Sequence, residues 1–242
     1  MATVPLIIFS DPICPWCRIG LHRLDEALKA NRDPFRRRWR PFQLNPDMPS
    51  EGVERKAYLN AKFGGPDGAA RVYGAIAEAA EADGLTMNFD RITRTPNTLD
   101  AHRLMLWAEA VDAAAAEAAA VEPKAAADFD AAPQLYSRRQ DAVAAALFRL
   151  YFEEGADLAE AETLVSAGAE AGLDPEFLRA QLATEADRAS VLALDADARK
   201  TGVRAAPTFL IDGRYVVEGA QPASVWAPIV EEITEKLAAA SR

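Results

Sequence analysis

The chain has only two cysteines in 242 residues, Cys14 and Cys17, and only two histidines, His22 and His102. Two cysteines cannot staple a fold with structural disulfides. A zinc site would have to draw all four ligands from those same four side chains, with no second cysteine pair to help, so no metal site is expected. Glycine is scarce at 13 residues, which excludes a collagen-like chain. Basic residues are outnumbered, 27 against 37 acidic, and the formal net charge is -10. A phosphate-neutralising surface is therefore not expected, and nucleic acid and anionic membranes drop out as partners. Long apolar runs are missing too: the longest uncharged stretch, Gly219 to Val230, contains Pro222 and Pro228 and falls far short of the roughly 20 apolar residues that cross a bilayer. The first basic residue, Arg18, comes after the apolar run Val4 to Phe9, so no export signal is read and the chain is expected in the cytoplasm.

What is present is an ordinary globular composition, 50% hydrophobic and 26% charged, in a chain long enough for one large domain or two small ones. Residues 4–9 form a continuous apolar run that reads as a buried parallel strand. Pro15 then suits the first position of a helix, which makes Cys14 the N-cap. Cys17, Leu21, Leu24 and Leu28 share one face of that helix, turned to the core. A second strand is expected over Arg37–Phe42, where Trp39 and Pro41 alternate with arginines; strand, helix and strand make a βαβ unit. Helical periodicity fills the next 140 or so residues: Val53–Phe63, Ala69–Ala82, Thr98–Val121, a stripe of Val143, Leu147, Leu150 and Tyr151 closed by Gly155, and a helix opened by Asp174-Pro175. The alanine-rich segment of about 110–135 reads as an extension or loop without chemistry. Last come a helix over Arg188–Lys200, a hairpin around Asp212-Gly213 whose loop length is open by one residue, and an amphipathic helix, Pro222–Ala238, with Val225, Ile229 and Ile233 on one stripe. The expected fold is α/β. Residues 1–45 and 186–242 supply the βαβ and αββα halves of one sheet, and a helical insertion spans 46–185.

Chemistry concentrates in Cys14-Pro15-Trp16-Cys17, which follows a strand and opens a helix, the context of a redox Cys-x-x-Cys. At the N-cap, first-turn N–H groups and the positive end of the helix dipole favour a Cys14 thiolate, at an exposed helix tip. Cys17, three residues on, lies within disulfide reach but is packed toward the core. One thiol attacks and the other resolves. Trp16 is expected near the site surface, whereas Trp39, Trp107 and Trp226 read as core. Asp11 beside Pro12 either fixes the turn or accepts a proton during exchange. His22 reads as a solvated residue on the outer face of the helix.

The run Ser10-Asp11-Pro12-Ile13-Cys14-Pro15-Trp16-Cys17, with Gly202-Val203-Arg204-Ala205-Ala206-Pro207-Thr208-Phe209 far downstream, resembles the DsbA family of the thioredoxin superfamily. Residues 38–46, 89–92, 96–103 and 219–222 resemble its FrnE-like subgroup, related to 2-hydroxychromene-2-carboxylate isomerase and the kappa-class glutathione transferases. The likeness implies a thioredoxin-like fold with a large helical insertion and a thiol-disulfide oxidoreductase acting on a protein or small-molecule thiol or disulfide. No tightly bound cofactor is implied, and glutathione is the co-substrate to consider. It further implies a cis bond before Pro207 and a backbone at Ala206 that pairs with an incoming peptide. Asn97, Thr98 and His102 belong to a motif that lines the substrate pocket in the related glutathione-dependent isomerases, and His102 reads either as part of such a pocket or as local structure. The chain departs from the family at Ala205-Ala206, where Gly-Val is usual. Pro15-Trp16 also stands where strongly oxidising members carry Pro-His. A reduction potential between the roughly -270 mV of thioredoxin and -120 mV of DsbA follows by analogy. The related isomerases usually carry serine at the position of Cys14, and a resolving Cys17 would be superfluous to them.

Overall fold

A computed structural model describes residues 3–29, 33–121 and 132–240. The run that reads as a buried strand is β1 (Val4–Ser10), and it lies inside a four-stranded sheet of order β2-β1-β5-β6. β2 (Phe35–Pro41) runs parallel to it, with Trp39 opposite Ile8. β5 (Thr208–Ile211) runs antiparallel on its other side, with Phe209 opposite Ile8, and β6 (Tyr215–Glu218) pairs antiparallel with β5. The β5–β6 loop is three residues, Asp212 to Arg214, with Asp212 and Gly213 both at positive φ (52° and 67°). Arg214 thus belongs to the loop.

One face of the sheet packs against α1 (Pro15–Leu28) and α9 (Ala223–Ala240), because Leu6, Ile8, Phe209 and Ile211 alternate toward Leu21, Leu24 and Trp226. Phe209 and Trp226 meet edge to face at 4.9 Å. On α9 the expected stripe is rotated: Trp226 and Val230 are buried, Ile229 and Ile233 only partly, and Val225 is exposed. The bulkiest side chain of the helix takes the seat against the sheet. The opposite face seats Phe9 and Phe42 against α8 (Arg188–Lys200) through Ala198.

Between β2 and α8 the chain is mostly helical. Val53 and Glu54, expected at the start of a helix, instead form a two-residue strand, β3, paired with β4 (Arg94–Thr95). The Glu54 carboxylate then caps α2 (Arg55–Phe63) by accepting from the N–H groups of Lys56 and Ala57, and α3 (Pro66–Ala82) follows. α4 (Leu99–Val121) and α5 (Ala132–Arg149) pack together beside β2. Residues 122–131 of the expected alanine-rich extension lie outside the described residues. After α5 the chain makes a π-turn over residues 150–154, closed by Gly155 at φ 74°, where a Cβ would stand 2.4 Å from the Arg91 carbonyl oxygen. α6 (Ala161–Glu170) and α7 (Pro175–Leu182) complete the helical part, and Asp174 caps α7 as its sequence predicts. Among the described residues no helix is long and apolar enough to cross a membrane.

Candidate active site

β1 ends at Ser10, and the chain turns through Asp11-Pro12-Ile13, with the Cys14 N–H donating to the Asp11 carbonyl (2.9 Å). Cys14 is extended (φ -85°, ψ 111°) and Pro15 begins α1, so Cys14 is the N-cap. Its side chain makes no capping hydrogen bond. The Cys14 Sγ instead lies 3.5 Å from the carbonyl oxygen of Ala206, 192 residues away. The Ala206–Pro207 peptide bond is cis, and Pro207 is buried against α1. This loop covers the helix tip. Cys14 is consequently only 3% exposed and Cys17 2%, so the expected open tip is corrected. Both thiols are free.

Cys17 faces the end of β1. Burial pushes its thiol well above the ordinary value and the neighbouring Cys14 adds to this, while the Ser10 hydroxyl and the Asp11 backbone N–H pull the other way. The two thiols thus differ in their surroundings rather than in exposure. Trp16 is half-buried and leans on a second apolar cluster that includes Ile19, Tyr73 and Phe89.

Asp11 is wholly buried. Its carboxylate accepts from the N–H groups of Ile13 (3.3 Å) and Leu44 (2.7 Å) and bonds the Thr98 side chain, which ties together the ends of β1 and β2 and the start of α4. Desolvation outweighs these bonds and lifts its pKa from 3.8 to about 6. The turn-fixing reading describes these contacts. Asn97, which the resemblance assigns to a substrate pocket, has both ends of its amide engaged: the nitrogen donates to the Met48 carbonyl (2.6 Å), and the oxygen accepts from the Leu99 N–H at the start of α4 (2.9 Å). His102 is buried as well, which drives its pKa down to about 4, and its Nε2 has no hydrogen-bond partner among the described residues. It lines a cavity of ≈ 20 Å³ with Ser10, Pro12, Trp39 and Phe148, room for a water rather than a substrate. His22 is half-buried beside Glu26 at 3.6 Å rather than fully solvated.

Two features escape sequence reasoning. Gly20 on α1 is where Pro207 docks, since a Cβ there would stand 3.0 Å from the proline Cγ and 3.2 Å from the Ala220 Cα. A single glycine inside a helix carries no signal of what approaches it. Arg55 is buried between the rings of Tyr73 (4.9 Å) and Phe89 (5.9 Å), donates to the Tyr151 hydroxyl, and makes no ion pair among the described residues. Its burial comes from elements far apart in sequence, which periodicity cannot see.

A sheet that joins the two ends of the chain, with paired thiols at a helix tip facing a cis-proline loop, is thioredoxin-like. The chain belongs to the family of DSBA-like thioredoxin domains, whose model matches residues 5–127 and 129–228. A probable DsbA oxidoreductase from Streptomyces coelicolor is 28% identical and superposes with a TM-score of 0.75 over 96% of this chain and 90% of that one. Two further structures share the fold. 2-Hydroxychromene-2-carboxylate isomerase does so at 13% identity and a TM-score of 0.61, over 98% of this chain and 100% of its own. The cytosolic disulfide reductase DsbM of Pseudomonas aeruginosa, with glutathione, does so at 21% identity and 0.56, over 96% and 99%.

Proposed function

We propose that the protein is a thiol-disulfide oxidoreductase in which Cys14 is the nucleophile and Cys17 the resolving thiol. The observation that carries this reading is the pairing of two free thiols at the start of α1 with the Cys14 sulfur set against the Ala206 carbonyl, the backbone that an extended substrate would join. The Cys14 thiolate attacks one sulfur of a substrate disulfide, forming a mixed disulfide and expelling the other sulfur as a thiolate, which takes up a proton. Cys17 then loses its proton and attacks the Cys14 sulfur. This releases the second substrate thiol and leaves Cys14–Cys17 oxidised by two electrons. The same steps in reverse oxidise a dithiol. The Ser10 hydroxyl and Asp11 N–H aid the second step by stabilising a thiolate that burial opposes. Substrate contacts fall to Trp16, Ala206 and Pro207, with Pro15 and Asp11 shaping the tip.

In this reading residues 1–45 and 186–242 are the redox unit and 46–185 the helical unit beside it. Glutathione, held by the DsbM structure, is the small thiol that would reduce the pair again, and the cytoplasm, where DsbM works, is the compartment proposed for this protein. Cys17→Ala tests the mechanism, since without the resolving thiol a mixed disulfide on Cys14 should accumulate and persist until reductant is added. Mass spectrometry after incubation with oxidised glutathione or a disulfide-bonded protein reads the adduct. Absence of any adduct, with unchanged turnover of a glutathione-dependent isomerisation, would favour the isomerase function instead.

A further inference from the structure

The two edges of the sheet are finished differently. Along β2 the Trp39 N–H is met by the Gln140 side-chain oxygen at 3.0 Å, and α5 and α8 pack alongside. β6, at the other edge, pairs with β5 on one side and with no strand on its outer side among the described residues, and its Tyr215 and Val216 are 64% and 55% exposed. The Gly219 N–H donates to the Pro207 carbonyl, in register with Glu218 opposite Thr208 and Val217 opposite Phe209. Antiparallel alternation then turns the backbone of 215 and 217 toward β5 and leaves the N–H and C=O groups of Val216 and Glu218 pointing outward. An apolar, unpaired edge is a template that native proteins cover or blunt.

The strand with its flanking residue, Arg214-Tyr215-Val216-Val217-Glu218, complements itself when reversed. Two copies paired antiparallel about Val216 set Val216 opposite Val216, Tyr215 opposite Val217 and Arg214 opposite Glu218, each unlike pair occurring twice. This register uses the outward N–H and C=O of Val216 and the outward N–H of Glu218; the Glu218 carbonyl already accepts from the Gln221 side chain at 2.8 Å, and the Arg214 N–H opposite it donates to the Ile211 carbonyl. Both charges are free to serve it: Glu218 has no ion-pair partner among the described residues, and Arg214 reaches only Asp212, at 3.9 Å. Slipping the register by one residue places Arg214 opposite Val217 and loses both ion pairs; slipping it by two in one direction sets Glu218 opposite Asp212. Tyr215 and Val217 also border a groove with Ile229 and Ile233 of α9, which the second strand would extend and roof.

We propose that a second copy of this chain covers β6, giving a homodimer with one continuous eight-stranded sheet and a two-fold axis through the Val216 pair. Such an isologous contact closes on itself and leaves no further edge of this kind exposed. The axis stands perpendicular to the sheet, so the two thiol pairs lie at opposite ends of it, each with its own approach. This inference is independent of the redox reading. Analytical ultracentrifugation of the full chain at low salt tests it, with twice the 26.2 kDa chain mass expected. Arg214→Glu should weaken the dimer by roughly tenfold, because each of two attractive pairs becomes a like-charge pair, and Arg214→Glu combined with Glu218→Arg should restore it. Val216→Lys should give monomer, with far-UV circular dichroism confirming the fold. A single-chain mass at every concentration would overturn the proposal, and so would a dimer that ignores Arg214→Glu or is not recovered by the charge swap.

Discussion

Asp11 shows at the residue scale how a buried carboxylate that fastens a site also taxes it. In an unfolded chain it ionises near 3.8 and in the fold near 6, so between those values the folded protein holds the extra proton. Stability therefore falls as pH rises through that window and stays lower above it, by about 3 kcal/mol for a shift of this size. Below the window both states are protonated and the effect is gone. His102 acts in the opposite sense: its folded pKa of about 4 lies below the ordinary 6.5, so stability rises as pH climbs from about 4 to 6.5. Asp141, whose burial also lifts its pKa to about 6, adds a second decline in the same window; the wild-type curve is the sum of all three, and Asp11→Asn isolates one part. Relative to wild type the variant should lose about 1 kcal/mol below pH 4 for a missing acceptor, and the deficit should reverse by pH 6 because the roughly 3 kcal/mol that ionising Asp11 costs is gone. Urea denaturation of both proteins across that range checks this, and a difference between them that stays constant with pH would mean that Asp11 does not carry the effect.

Helix α1 is the element on which the site depends, and its legibility was uneven. The strand before it, the proline at its start, the buried face of Cys17, Leu21, Leu24 and Leu28 and the cysteine spacing all follow from local pattern, and all stand in the structure. The burial of Cys14 does not, because the covering loop arrives from 192 residues downstream. The same distance hides β3 and β4, two residues each, whose pairing joins segments some 40 positions apart. Local propensity had no reason to take Val53 and Glu54 out of the helix. Where α1 meets Pro207, the missing side chain of Gly20 sets the spacing. Gly20→Ala, in a helix interior, would gain up to about 1 kcal/mol from propensity but must overpack the Pro207 and Ala220 contacts, a cost of about 1–3 kcal/mol. The net expectation is a lower thermal midpoint together with altered Cys14 reactivity, since the displaced loop carries Ala206. Comparing the midpoint with the alkylation rate of Cys14 tests both halves.

Across the whole molecule, the helical layer is fastened to the sheet at β2 by charge as well as by apolar packing. Arg38 and Arg40 converge on Glu109 of α4, whose side chain is nearly buried, and Trp39 between them donates its ring N–H to Asp141 of α5 (2.6 Å). Glu109→Gln would leave the half-buried Arg40 with a weaker acceptor, costing about 1–3 kcal/mol. Glu109→Ala should cost more. Chemical denaturation measures both, and equal, negligible losses would mean that the apolar contacts of α4 and α5 hold the layer unaided.

The sheet's assembly from both ends of the chain has a consequence for the protein's birth on the ribosome. β1, α1 and β2 are translated first, yet β5, which borders β1 and follows directly on the loop covering Cys14, begins only at Thr208. At roughly 5–20 residues per second, that leaves about 8–33 s in which the nascent thiol pair has no lid. The last strands to be synthesised thus decide when the pair ceases to be an open target for any passing oxidant.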